Sequence, residues 1–413
     1  VVDWYASLYP GLPTPAVRAL MATLADDLDC GPARVTDATG RERTATVRAA
    51  ALLNGTAAHA AEVDDSFRDA MLHPGAATIA AALAVAQATG APGPEFLKAV
   101  VMGYEVSTRI GVVMGRAHYQ YWHNTGSIGS FGAAAAAACL YGLDETEFAH
   151  ALALTATCAA GLQQAFRLEA MAKPLHAGRA AEAGVLAAQL ARQGMRCSLD
   201  VLEGEAGLGQ AMSDGPDWSR TTATLGHDFH ITRLTFKNHI GCGHTFPAID
   251  GALALQQQHG FAADDIAQLA LGVYRPALDI AGHIDPQTAD EARFSVHYMV
   301  ATALVHGSVR LSAFEPDRLN DATTRSLMAR TQVTLDPGVD AGFPGRRSAR
   351  VEIVLRDGRR LTHLQPDRKG DPELPLTDAD LEGKLVEFAS PVIGADAARA
   401  LAARLWTLDT SPT

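Results

Sequence analysis

The sequence predicts a mostly α-helical chain with a smaller α+β part set late in it, and three observations carry that expectation. From Thr14 to about Gln193 apolar residues recur at three-to-four spacing, after about Ile231 β-branched and alternating runs take over, and from about Asp378 helical periodicity returns. With 413 residues the chain exceeds one compact core of ordinary size, so two domains are expected.

Taken in order, Thr14-Pro15 opens the first helix as cap and first-turn proline, and TATVRAAALLNGTAAHAAEV continues the helical pattern. GAATIAAALAVAQATG, PEFLKAVVMGYEVSTRIGVVMG and GSFGAAAAAACLYG are dominated by Ala and Gly, which predicts helices that approach closely and are largely buried. Later, QLALGVYRPAL, RTQVTLDP, ARVEIVLRDG and RRLTHLQP read as strands, with an Asp-Gly hairpin turn in VLRDGRRL and helices near 246–259 and 290–306 between them. DADLEGKLVEFA and DAARALAARLW return the tail to the helical body. The expected division is 1–232 and 373–413 as helical domain, with 233–372 as the α+β domain.

Lys and Arg total 34 against 46 Asp and Glu, a net charge of −12, and the basic residues are scattered. Nucleic acid and anionic membrane are therefore poor partners, and an anionic ligand would need a local pocket of Lys, Arg and His. The five cysteines are widely spaced and lack a Cys-x-x-Cys pair, which argues against disulfides and structural zinc. VVDWYASLYP does not resemble a signal peptide and the apolar runs are broken by Gly or polar residues, so a cytoplasmic protein without membrane spans is expected.

Four polar clusters interrupt the Ala-rich background. The first, NGTAAHAAEVDDSFRDAMLHPGAA, holds His59, Glu62, Asp64, Asp65, Ser66 and His73 around a helix end and a Pro-Gly helix start. No HExxH or second His-rich motif accompanies it, so no metal site is assigned. The second, YQYWHNTGSIGSFGAAAAA, sets His123 and Thr125 ahead of a helix start, where free N–H groups favour an anion such as a carboxylate. In the third, FRLEAMAKPLHAGRAAEAGVLAAQLA, Lys173, His176 and Arg179 stand at the entry of an apolar helix, where partial desolvation would lower the lysine pKa and suit it to acid–base work. The fourth, LTFKNHIGCGHTFPAIDGALALQQ, gathers Lys237, His239, Cys242 and His244 at the change of texture. Zinc or a Cys–His nucleophile pair fits it less well than acid–base or substrate contact.

Read in sequence, NGTAAHAAEVDDS…HPG, GYEVSTRIG, HNTGSIGSFGAAAAA, MAKPLHAGRAAEAG, FKNHIGCGHTFPAIDGAL and DEARFSVHYMVATAL resemble the MmgE/PrpD family of 2-methylcitrate dehydratase-like and cis-aconitate decarboxylase-like proteins. The resemblance implies a large helical domain built from both chain ends, a smaller α+β lid with a catalytic cleft between them, and a homodimer. It also implies cofactor-free dehydration, decarboxylation or epimerisation of a small carboxylate. Carried over by motif, it points to Asp64, Asp65, Ser66, His73, His123 and Lys173, with Cys242 and His244 from the lid. The chain departs from the decarboxylase branch, where Glu62 would be Asp, Ser66 would be Thr, Cys242 would be His, and one residue fewer precedes His73. GCGHTFPAID looks more like the group that includes iminodisuccinate epimerase.

Removing a proton beside a carboxylate needs a base and fixed positive or N–H groups where charge develops. His123, Lys173 or His244 is expected as the base, with His73 and Cys242 as further catalytic groups and Asp64, Asp65, Ser66, Thr125, His176, Arg179 and Arg293 as substrate-binding ones. Arg179 or Arg293 would hold a second carboxylate. A dehydratase-type lyase is the leading expectation. An epimerase of an amino- or imino-dicarboxylate, a decarboxylase and a non-catalytic ligand-binding homologue are the alternatives, all without metal or organic cofactor.

Overall fold

The chain is described here by a computed structural model covering residues 1–166, 171–343 and 345–411. It is mostly helical, with a smaller α+β part, and forms two compact units, Val1–Phe236 with Thr377–Thr413 and Lys237–Leu376. Each junction falls four residues after its expected place (236 against 232, 376 against 372).

The helical unit begins with α1 (Val2–Gly11) and α2 (Pro15–Thr23). The chain then departs from the all-helical expectation: β1 (Leu28–Thr36) and β2 (Glu42–Ala45) form an antiparallel hairpin. After it come α3 (Val47–Ala60), α4 (Pro74–Thr89), α5 (Gly93–Tyr119), the single-turn α6 (Asn124–Ser127), α7 (Gly129–Leu140), α8 (Glu145–Ala156), α9 (Ala172–Arg192) and the short α10 (Leu208–Met212). The core is built where α3, α4, α7 and α9 meet, and it consists largely of alanine. Small side chains let the helix axes close up, so backbone dispersion contacts take over the role that large side chains usually fill. Between α3 and α9 even a methyl group is too much. A Cβ on Gly55 would stand 3.0 Å from Gly178 Cα, and one on Gly178 would overlap the Leu52 carbonyl and the Thr56 hydroxyl.

In the α+β unit, α11 (Phe246–His259) precedes β3 (Ile266–Val273), followed by α12 (Arg275–Ala281), α13 (Ala289–Arg293), α14 (Val296–His306), α15 (Pro316–Leu319), α16 (Ala322–Met328), β4 (Thr331–Leu335), α17 (Pro337–Asp340), β5 (Ala349–Leu355) and β6 (Arg360–Gln365). The sheet order is β4-β3-β5-β6, with β3 and β4 parallel and the other pairs antiparallel. Asp357-Gly358 makes the β5–β6 turn, Gly358 taking φ 89°. QLALGVYRPAL stops being a strand at Val273, because α12 starts at Arg275 with Pro276 in its first turn. The 290–306 helix is split where the Ser295 hydroxyl accepts the Tyr298 N–H and caps a fresh start.

The chain then re-enters the helical unit as α18 (Asp378–Ile393) and α19 (Ala395–Leu405). α18 packs on α1, and its Lys384, fully buried, donates to Asp3 Oδ1 at 2.6 Å and to the Val63 carbonyl at 2.7 Å. Among the described residues no helix is long and apolar enough to cross a membrane, and all five cysteines are free thiols.

Candidate active site

The close approach of α3 and α9 brings the end of one helix to the start of the other. α3 ends at Ala60, and Glu62 just beyond takes the left-handed conformation, φ 57°, which a residue with a side chain adopts at a cost. That turn carries the Glu62 carboxylate to Lys173 in the first turn of α9, with Oε1 2.9 Å from Nζ. Burial works to lower the lysine pKa, but the Glu62 charge and hydrogen bond outweigh it and the net shift is upward. Lys173 is thus a fixed cation, contrary to the lowered pKa expected from its sequence setting.

Behind this pair lies a group of imidazoles. His59, in the last turn of α3 and 1% exposed, has Nδ1 2.8 Å from Asp64 Oδ2. His73, the N-cap residue of α4, has its own Nδ1 3.3 Å from the same oxygen. The His59 ring meets that of His73 edge-on at 4.9 Å and stacks on that of His123 at 5.6 Å, while His123 Nδ1 lies 3.2 Å from His176 Nδ1. Burial would raise the Asp64 carboxyl, yet His59 and His73 hold it well below the usual carboxylate range. Burial, reinforced by the cations around them, pushes His123 well below 6.5 and lowers His176 as well. At neutral pH the cluster therefore presents the Asp64 carboxylate, the Glu62–Lys173 pair and the neutral imidazoles of His123 and His176. Glu62, Lys173 and His73 are its accessible edge, with side chains 42%, 22% and 19% exposed.

His59, Asp64 and His73 could in principle share a metal, since their ligand atoms lie within 4.8 Å of one another. Two ligands of a tetrahedral zinc at 2.0–2.1 Å stand about 3.3 Å apart. The 2.8 Å between His59 and Asp64 is instead a hydrogen-bond distance, so as they stand the two share a proton.

The other expected residues of this unit are placed as follows. Asp65 is buried and accepts from the Tyr104 hydroxyl (2.8 Å) and the Gly75 N–H (3.1 Å). Burial, then Asp3 and Asp64, push its carboxyl up to about 7. Thr125 Oγ1 accepts the His73 backbone N–H at 3.2 Å, and Ser66 pairs its backbone with Thr235. Arg179 is exposed and ion-paired to Glu182. Residues 167–170 of the third cluster lie outside the described residues.

In the α+β unit, His244 Nδ1 is 2.9 Å from the Tyr274 hydroxyl, and Tyr274 stacks on Phe343 with centroids 4.7 Å apart. Burial, with Arg347 and Arg368 nearby, lowers His244 to about 4, so it is neutral at physiological pH. Cys242 donates its backbone N–H to the Arg293 carbonyl, while the Arg293 side chain is ion-paired to Asp290 at 2.7 Å. His239 is buried against Asp250 at 2.8 Å. Sequence reasoning placed His59 and Glu62 in the first polar cluster without giving either a site role, and it passed over Tyr274. Tyr274 reads as part of a strand. The one signal available for His59 was its place five residues before Asp64, just ahead of the helix end.

The profile of the MmgE/PrpD N-terminal domain matches residues 1–221, and that of the MmgE/PrpD C-terminal domain matches 239–409. The chain belongs to the MmgE/PrpD family. Among MmgE/PrpD relatives, it is 27% identical to the cis-aconitate decarboxylase-like protein oryM of Aspergillus oryzae over 99% of this chain and 94% of that one. It is 28% identical to human cis-aconitate decarboxylase over 85% of this chain and 74% of the human one, and 27% identical to the mouse enzyme over the same shares.

Proposed function

We propose that this chain is a carboxylate-processing lyase that removes a carbon-bound proton from a small polycarboxylate and expels water. The observation that carries this reading is Lys173, held as a cation by Glu62 at the edge of a cluster whose His123 and His176 are held neutral. A fixed ammonium attracts a carboxylate and the enolate-like charge that grows on it, and a neutral imidazole accepts the proton. Elimination then breaks the C–H and the neighbouring C–O bond, forms the alkene, and needs an acid to protonate the departing hydroxyl, a task for a second member of the histidine cluster. Decarboxylation is the second reading, favoured by the names of the relatives. Against it stand Glu62, Ser66 and Cys242, where the decarboxylase pattern has Asp, Thr and His.

Proton NMR in deuterated buffer tests both, with citrate, malate, cis-aconitate and iminodisuccinate as probes. Alkene signals from a hydroxy acid are expected. Loss of carbon dioxide from cis-aconitate without hydration would replace the first reading by the second, and deuterium exchange with no alkene, abolished in Cys242→Ser, would replace it by epimerisation. Lys173→Ala should lower turnover by about 10²–10³ with an unchanged unfolding midpoint.

A further inference from the structure

We propose that Asp64 is a tautomer clamp, which by facing Nδ1 of both His59 and His73 leaves Nε2 of His73 as the basic nitrogen of the site, with His59 as a positioning residue on the same carboxylate. An ionised carboxylate only accepts hydrogen bonds, and a neutral imidazole carries one N–H. His59 Nδ1, hydrogen-bonded to Asp64 Oδ2 at 2.8 Å, therefore carries its hydrogen, and the clamp puts the same tautomer on His73, whose Nδ1 faces that oxygen at 3.3 Å. The lone pair of each ring then sits on Nε2, at the far side from Asp64. For His59 that nitrogen is buried and without a hydrogen-bond partner, so it ends inside the protein. His73 is the partly accessible ring of the two. Its backbone is fixed as well, because its N–H donates to Thr125 Oγ1 and it stands at the N-cap position of α4. A carboxylate behind an imidazole, setting its tautomer and direction, is the arrangement that makes a histidine a competent base. His59 adds a second donor to the same oxygen, so Asp64 cannot swing away from His73 without losing its shorter contact.

That His73 acts as the base rests on the lyase reading above, but the tautomer does not, and the experiment separates them. Long-range proton–nitrogen correlation NMR is recorded at pH 8 on the full chain labelled with ¹⁵N-histidine, with His59→Gln and His73→Gln supplying the assignments. The expected spectrum shows both rings neutral with hydrogen on Nδ1, and in Asp64→Asn the His73 signal moves toward the Nε2–H form. Hydrogen on Nε2 of His73 in the unaltered chain, a doubly protonated ring, or an unmoved tautomer in Asp64→Asn would each overturn the clamp. The unaltered chain alone decides the first two, so a variant that fails to fold does not rescue the idea. Should the NMR screen reveal a substrate, Asp64→Asn should lower its kcat by about 10²–10⁴ while KM stays within a few-fold. The expected tautomers with no turnover of any probe would leave the clamp standing and remove the lyase reading.

Discussion

Asp65 shows what a carboxylate contributes when it is buried without a cation of its own. Its pKa, pushed up to about 7 by burial and by Asp3 and Asp64, exceeds the unfolded value of 3.8. Between roughly pH 4 and 7 the folded chain binds a proton that the unfolded chain has released, so stability falls as pH rises through that window, by about 4 kcal/mol at most. Asp65→Asn keeps an acceptor for the Gly75 N–H and offers a donor to the Tyr104 hydroxyl. Thermal unfolding followed from pH 5 to 8 should therefore decline less steeply in Asp65→Asn, and parallel declines would show that the charge is tolerated. At this scale the sequence was informative about which residues matter and poor about their state. His73, His123 and Lys173 stood out as polar residues beside helix starts in an Ala-rich background. That Lys173 gains rather than loses proton affinity depends on Glu62, a neighbour supplied by the fold, and no spacing in the sequence reports that distance.

The α3–α9 contact ties stability to the site, because the two helices that meet at Gly55 and Gly178 end just before Glu62 and begin just before Lys173. Gly178→Ala should separate them, costing about 1–3 kcal/mol by overpacking. It should lower the unfolding midpoint and turnover together, and a variant with a normal midpoint and normal turnover would show that α9 adjusts freely. Helices dominated by Ala and Gly, such as α4 and α7, were legible in the sequence, as was the β5–β6 turn at Asp357-Gly358. The β1–β2 hairpin was not. Of β1 only Leu28, Ala33 and Val35 are buried, and Gly31-Pro32 interrupts it, so the alternation that marks a strand is nearly absent. The split at Ser295 was equally hidden, since one serine within an apolar helix reads as a neutral choice until its capping bond is seen.

Across the whole molecule the discontinuous helical unit is held by a buried charge pair, Lys384 with Asp3. Lys384→Met leaves Asp3 buried without its cation and should cost about 3–5 kcal/mol, read as a lower denaturant midpoint at unchanged slope. Restoration of the midpoint in the double variant Asp3→Asn, Lys384→Met would identify the stranded charge as the cause, whereas no recovery would assign the loss to packing. The return of the tail to the helical body was readable from its periodicity, but the residue that fastens it was not, for a lysine in an amphipathic helix normally faces water. Asp3 and Lys384 are 381 positions apart. On a ribosome adding roughly 5–20 residues per second, the acid would wait roughly 20–80 s for its cation to be made. Through that interval the nascent helical unit lacks the surface that α18 covers, and the emerging chain must be kept from associating with others until α18 arrives.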